Sequence, residues 1–251
     1  MRWSLLIFLL LISSSINAST QVKIATDPWC PYVCEGEKSR TGVLIDVVQQ
    51  AFAESGYLVE FVSLNWARAI TEARKGKVQG IIGGFKTDSP DFIFGQEHLV
   101  YSQMCFYTQE ADSWQFTRVN SLDNRVTAVV NGYSYGDEMD AYIKNNETIG
   151  QQNIARVYGK ETITQRLKLL AKHKVDTLVE DKLVMTQVNQ NKTESLKLRQ
   201  AGCLPSEKVY LGFSPNSNLS PRLSRAFDQG LKQLRKQGKI QQIIAKYGQT
   251  N

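Results

Sequence analysis

The sequence predicts an α/β protein built as two small lobes, and three observations carry that expectation. Short alternating or apolar runs that read as strands are separated by amphipathic runs that read as helices, which argues for sheets of mostly parallel strands. That strand–helix order starts afresh near residue 126, after a break. The chain also ends in helices after revisiting a strand, so its tail is expected back on the first lobe.

The elements follow in order. Gln21–Ala25 alternates as a strand and runs into Asp27-Pro28-Trp29-Cys30-Pro31-Tyr32, too rich in Pro for a helix. Val43 to Glu54 carries Leu44, Val47, Val48, Ala51 and Phe52 at helical spacing, with Gly56 as its stop. Val59–Leu64 reads as a strand, Trp66–Lys75 as a helix ended by Gly76, and Val78–Gly83 as a buried strand. The second series is strand Val126–Val130, a helix from Ser134 to about Lys144, strand Ile154–Tyr158, helix Thr162–Lys172, strand Val175–Glu180 and helix Lys182–Val188. Ser134 with Asp137 three residues on resembles a capping box. Ile163, Leu167, Leu170 and Ala171 mark one apolar helix face. Val209–Phe213 is a last strand, followed by helices over Leu219–Arg235 and Ile240–Lys246.

Composition narrows the class. The chain has 251 residues, 42% apolar and 22% charged, with 17 Gly and 6 Pro, which excludes collagen-like and broadly disordered chains. Residues 1–18 read as a secretory signal peptide: Arg2, the run Leu5–Ile12, then small residues to a cut after Ala18. The apolar run is too short to span a bilayer. Arg2 belongs to that leader, so the net charge of +6 becomes +5 without it. The basic residues are scattered over helices such as Arg222–Lys239 and interleaved with apolar ones, the pattern of a solvated face, so nucleic acid is not expected as a partner.

Export places Cys30, Cys34, Cys105 and Cys203 in an oxidising compartment. Four cysteines allow three pairings. The expectation is Cys30–Cys34 across Pro31-Tyr32-Val33, with Cys105–Cys203 then closing a long loop. Cys-x3-Cys has no second Cys/His pair nearby, and His98 and His173 stand alone, so no metal is expected.

Several segments resemble the bacterial extracellular solute-binding proteins of family 3, of the polar amino-acid-binding type. They are Ala25-Thr26-Asp27-Pro28 with Pro31-Tyr32, Thr41-Gly42 with Asp46, Trp66-Ala67-Arg68-Ala69 and Gly76-Lys77-Val78. Further along come Phe94, Ser121-Leu122, Val175-Asp176 with Asp181, Gly212-Phe213, and Leu234-Arg235 through Gly238-Lys239-Ile240 to Lys246-Tyr247-Gly248. The resemblance implies a two-lobed periplasmic-binding-protein-like (type II) fold with a two-segment hinge and a ligand cleft between the lobes. Lobe 1 is expected over 21–103 plus 212–251, and lobe 2 over 104–211. It implies a monomeric periplasmic protein without a cofactor. Such a protein binds a small polar solute for an ABC-type transporter permease or, alternatively, docks on a membrane sensor receptor.

The cleft residues follow from this placement. Trp29 and Tyr32 would form an aromatic wall, or Trp29 packs on the cysteine loop. Trp66 would be a second wall and Arg68 an anion clamp, or Arg68 pairs with Glu72. Gly83-Gly84-Phe85-Lys86 lets backbone approach a ligand, or is a tight turn. Gly132-Tyr133-Ser134 opens a helix whose amides would hold an anion, or Ser134 only caps it. Asp181 matches the family carboxylate that receives an ammonium, with Glu180 as substitute if the register shifts by one.

Two departures stand out. The family's Thr-x-x-Arg clamp for an α-carboxylate is here Thr87-Asp88-Ser89-Pro90-Asp91, and Gln79 replaces a strand-start Asp. Arg68 or Lys86 would supply the lost cation, or the ligand has no α-carboxylate. Catalysis, as in dehydratase-like relatives, is not expected, because no Ser or Cys sits in a recognisable nucleophile motif.

Overall fold

The computed structural model describes residues 20–36, 40–87, 89–150, 152–190 and 196–247; the expected leader over 1–18 lies outside them. The elements in chain order begin with β1 (Thr20–Thr26), β2 (Cys34–Glu35), β3 (Arg40–Thr41), α1 (Val43–Ala53), β4 (Tyr57–Ser63), α2 (Trp66–Arg74) and β5 (Gly80–Gly84). Next come β6 (Ile93–Phe94), β7 (Val100–Ser102), β8 (Met104–Gln109), β9 (Thr127–Val130), α3 (Asp137–Thr148), β10 (Ile154–Val157) and α4 (Thr162–Ala171). The chain closes with β11 (Thr177–Asp181), α5 (Lys182–Gln190), β12 (Leu198–Cys203), β13 (Glu207–Phe213), α6 (Ser220–Lys236) and α7 (Lys239–Lys246).

Two mixed sheets result. The first runs β4-β1-β5-β13-β6, with β7 also on β13, and the second runs β10-β9-β11-β8-β12. In each, a parallel βαβ core is extended by antiparallel strands: β1 pairs in parallel with β4 and β5, and β9 with β10 and β11. The helices cover the faces, which is why a strand such as β9 (TAVV) is buried at every residue.

The chain passes from one sheet to the other twice, between Ser102 and Met104 and between Cys203 and Glu207. The expected second boundary at 211–212 therefore falls inside β13. All of that strand belongs to the first sheet, because Glu207–Val209 pairs with β7 and Tyr210–Phe213 with β5.

The first lobe's helices meet closely at two glycines. A side chain at Gly230 of α6 would strike the Ala51 carbonyl of α1 at 1.9 Å. Gly42, at φ 131°, precedes α1, and a Cβ there would lie 2.3 Å from the Tyr32 carbonyl oxygen.

Several elements differ from the sequence expectation, three of them instructively. The helix expected from Ser134 begins at Asp137, because Tyr135 turns inward and its hydroxyl accepts from the Val130 amide at 2.8 Å. Strands β8 and β12 were not expected. The apolar run Met104–Tyr107 carried a strand signal, whereas LRQAGC has no alternation and is held by its partner. Both expected cysteine pairs stand at disulfide distance. Cys30–Cys34 pins the loop after β1, and Cys105–Cys203 staples β8 to β12 where the two residues are register partners.

Candidate functional site

The carboxyl ends of the parallel strands in the two sheets point at each other, the position where open α/β sheets bind ligands. From the first sheet come Asp27 and Trp29 after β1, Trp66 after β4, and Phe85 and Thr87 after β5. From the second come Tyr133 and Ser134 after β9, and Glu180 at the end of β11.

These side chains join across the gap. The Trp29 indole Nε1 donates to Glu180 Oε1 at 3.1 Å, and the Tyr133 hydroxyl donates to Asp27 Oδ2 at 2.8 Å. Thr87 Oγ1 and Ser134 Oγ share a hydrogen bond at 3.2 Å, and the Trp66 ring meets Tyr133 edge-on at 6.2 Å. At the rim, Lys160 Nζ donates to Ser63 Oγ at 2.8 Å. The lobes are thus closed on each other.

Two of the cavities at this junction matter for the site. The narrow one, about 30 Å³, is lined by Asp27, Trp29, Trp66, Phe85, Tyr133 and Ser134 among others, and has room for about one water. The other, about 580 Å³, lies beyond Trp29 and Tyr133, between the Cys30 loop and α4, β11 and α5.

Asp27 is the most perturbed carboxyl of the narrow cavity. Burial, reinforced by the Glu180 charge, pushes it up to about 7 against the pull of the Tyr133 hydrogen bond. Its Oδ1 is buried with no partner among the described residues. Glu180 is held differently: its Oε2 pairs with Arg166 Nη2 at 2.5 Å, and its Oε1 also accepts the Asp181 amide at 2.8 Å. Arg166 is 1% exposed and donates further to the Val179 and Thr162 carbonyls. The guanidinium is engaged inside its lobe through three of its donors and fixes the carboxylate that faces Trp29.

The expected site residues divide into two groups. Trp29, Trp66, Phe85, Tyr133 and Ser134 come together around the narrow cavity. Tyr32 is buried behind Trp29, stacked at 4.2 Å, so Trp29 packs on the cysteine loop while also lining both cavities. Gly84 lies within β5 and does not line either cavity. Arg68 is exposed and lines neither cavity, and Glu72 pairs with Lys75 and Lys77. Lys86 also lines neither; its ammonium sits over the Tyr210 ring at 4.5 Å. Asp91, near the family's arginine position, is bound in a two-pronged pair by Arg74.

Two expected ligand contacts are already occupied by the protein. Asp181 caps α5: Oδ1 accepts the amides of Leu183 and Val184, and Oδ2 accepts Ser102 Oγ at 2.7 Å and the Gln103 amide. Its position beside the crossing between sheets makes it a hinge anchor. The α3 start carries Asp137, Glu138 and Asp140 in its first turn, and Asp140 takes the Ser134 hydroxyl and Tyr135 amide. Those carboxylates compensate the helix dipole themselves and disfavour an anion there.

Sequence reasoning missed Arg166 and the place of Asp27 in the narrow cavity. Arg166 sits three residues after Ile163 and four before Leu170, on the same stripe as the apolar residues. A charge on a buried stripe requires a buried partner, and that was the available signal.

The sequence matches the family described as bacterial extracellular solute-binding proteins, family 3, over residues 22–250. None of the curated proteins compared matches it. Among solved structures, an ancestral arginine-binding protein bound to arginine superposes with a TM-score of 0.74 at 16% identity, covering 90% of this chain and 97% of that one. A histidine kinase sensor domain with similarity to periplasmic binding proteins gives 0.73 at 18%, covering 91% and 96%. A Streptococcus mutans structure of glutathione import via GshT and the cystine ABC importer TcyBC gives 0.73 at 17%, covering 91% and 95%. At these identities the structures speak for the fold.

Proposed function

Because this chain belongs to the bacterial extracellular solute-binding proteins, family 3, we propose that it captures a small polar solute between its lobes and hands it to an ABC-type transporter. The solute is an amino acid or a relative of one, and the protein acts as a periplasmic monomer after loss of the leader over 1–18. Lobe 1 is the first sheet with α6 and α7, and lobe 2 is the second sheet.

The observation that carries this reading is Asp27 Oδ1, a buried acceptor without a partner, set among Trp29, Trp66 and Tyr133 at the facing strand ends. A buried polar atom of this kind calls for a donor, and a solute N–H supplies one. Asp27 thus takes the part expected of Asp181. The narrow cavity must widen to admit a solute, so binding proceeds from an opened state and closure follows from the solute's preference for the closed one. The test is a thermal-shift screen of the purified protein with an amino-acid panel, followed by calorimetry on Asp27→Asn. A panel member should raise Tm and lose about tenfold in affinity in the variant, the worth of one charge-assisted hydrogen bond. No stabilisation by any member, or unchanged affinity in Asp27→Asn, overturns the reading.

The same closure read by a membrane receptor is the second reading, favoured by the fold shared with a kinase sensor domain. A permease and ATPase encoded beside this gene decide for transport, and a receptor kinase gene in their place decides for sensing.

A further inference from the structure

The cavity of about 580 Å³ is in the range of pockets that hold whole organic ligands, and many times what the narrow cavity holds. Its wall has two characters. Ile163 and Leu167 of α4 with Val184 and Val188 of α5 give it an apolar side, opened toward the ring of Trp29. Among the described residues its charged lining is Glu35, Glu161 and Glu180 against Lys160. The lysine is already engaged, 2.8 Å from Ser63 Oγ and 3.7 Å from Glu35.

Two acceptors in this wall have capacity left. Gln187 donates through Nε2 to Cys30 Sγ, while its Oε1 is buried with no partner among the described residues. Glu180 receives three hydrogen bonds, from Trp29, Asp181 and Arg166, where a carboxylate offers about four acceptor sites. With Glu35 paired to Lys160 and Glu180 to Arg166, the acceptor site left on Glu180, the unfilled Gln187 oxygen and the indole face favour a hydrogen-bond-donating cation. An anion would meet Glu180 and Gln187 Oε1 with no free positive charge among the described lining residues.

We propose that this pocket is a binding site for an organic amine with an apolar body, the ammonium held by Gln187 Oε1, Glu180 and Trp29 and the body laid against Ile163, Leu167, Val184 and Val188. The site shares Trp29, Val33 and Tyr133 with the narrow cavity, whereas Gln187, Glu180 and its apolar side belong to the large pocket.

The probe is 4-phenylbutylamine, with 4-phenylbutyrate as its anionic counterpart, titrated into the purified protein by calorimetry. The amine should bind at least about tenfold more tightly than the acid, a difference of about 1.4 kcal/mol. Thr164→Trp, at an exposed position on α4 in the pocket lining, fills the space and should abolish amine binding. Gln187→Leu removes the acceptor and should cost the amine about tenfold while leaving the acid unchanged. Thermal melting of both variants within a few degrees of the parent shows that the fold is kept. Equal affinity for amine and acid, no amine binding, or amine binding indifferent to Thr164→Trp overturns the proposal. If a panel solute binds through Asp27 while the amine does not, this inference fails alone. If the amine binds in a Thr164-dependent manner while no panel solute does, this inference stands and the narrow-cavity reading fails.

Discussion

Against the first sheet, Phe52, Phe213 and Phe227 meet with ring centroids 5.3–6.4 Å apart. Against the second, the largest fully buried side chain is Arg166, paired with Glu180. One lobe is closed by aromatic packing, which is non-directional and favourable wherever area is removed from water. The other, beside its own Phe106, Trp114 and Phe116 cluster, also spends burial on an ion pair whose desolvation offsets much of its attraction. The difference teaches where each lobe's polar chemistry serves the cleft. The phenylalanines end in their own core, whereas the Arg166–Glu180 pair continues to Trp29 and so holds a wall shared by both cavities.

The comparison breaks or sharpens on matched substitutions. Arg166→Met and Phe227→Ala should each cost about 3–5 kcal/mol in urea unfolding, one by stranding a buried carboxylate and the other by leaving a cavity. A second change separates them. Adding Glu180→Leu to Arg166→Met should return most of the loss, whereas adding Phe213→Leu to Phe227→Ala should enlarge it. If the charge pair fails to recover, its contribution is more than self-compensation.

The staple of the second lobe comes next. Replacing Cys105 and Cys203 together by Ser should cost about 2–5 kcal/mol, read as a lower urea midpoint, because the bond closes a loop spanning 98 positions. Replacing Cys30 and Cys34 closes only a separation of 4 and should cost less.

Closure itself should respond to pH. Asp27 at about 7 lies above its ordinary 3.8, so the closed protein holds a proton that the opened or unfolded chain releases. That contribution is full below about pH 4 and is lost as pH rises through about 7. Between pH 6 and 8 the closed state should lose about 1.4 kcal/mol, seen as expansion in small-angle scattering, and Asp27→Asn should flatten the change. The groups facing Asp27 are Tyr133, Glu180, Lys160 and Glu35. Tyr133→Phe removes the pull that lowers Asp27 and should move the midpoint upward. A pH-independent shape in the parent contradicts the assignment. The smallest effect is Thr87→Val, which loses one hydrogen bond to Ser134 and should favour opening by about 0.5–1 kcal/mol in the same measurement.

Much of the fold was legible because parallel βαβ units write themselves locally. Helix α1 with its stripe Leu44, Val47, Val48, Ala51 and Phe52 ends near the expected position, and β1, β9 and β11 lie where alternation or apolar runs placed them. Strand β12 was not legible, because LRQAGC is extended by its pairing with β8 rather than by its own pattern. Within the site, aromatic residues after strand ends were readable: Trp29, Trp66, Phe85 and Tyr133 converge. Arg68 and Lys86 were not, since one residue's turn around a helix or past a strand end decides whether a cation faces the cleft or solvent.

By itself, then, the sequence determined the α/β order, the revisit of the first sheet by the tail, both cysteine partnerships and the aromatic character of the cleft. The order and the Cys30–Cys34 pair rest on local periodicity and short-range spacing, whereas the Cys105–Cys203 pair, 98 positions apart, followed as the remaining one. Tertiary structure alone decided which carboxylate is free. Asp181, Glu180 and Asp27 look alike in sequence, yet one caps α5, one is clamped by Arg166, and one keeps an oxygen without a partner among the described residues, between two aromatic walls. The physical reason is that a carboxylate's availability depends on which donors arrive from elsewhere in the chain, and those arrive only when the two sheets have assembled.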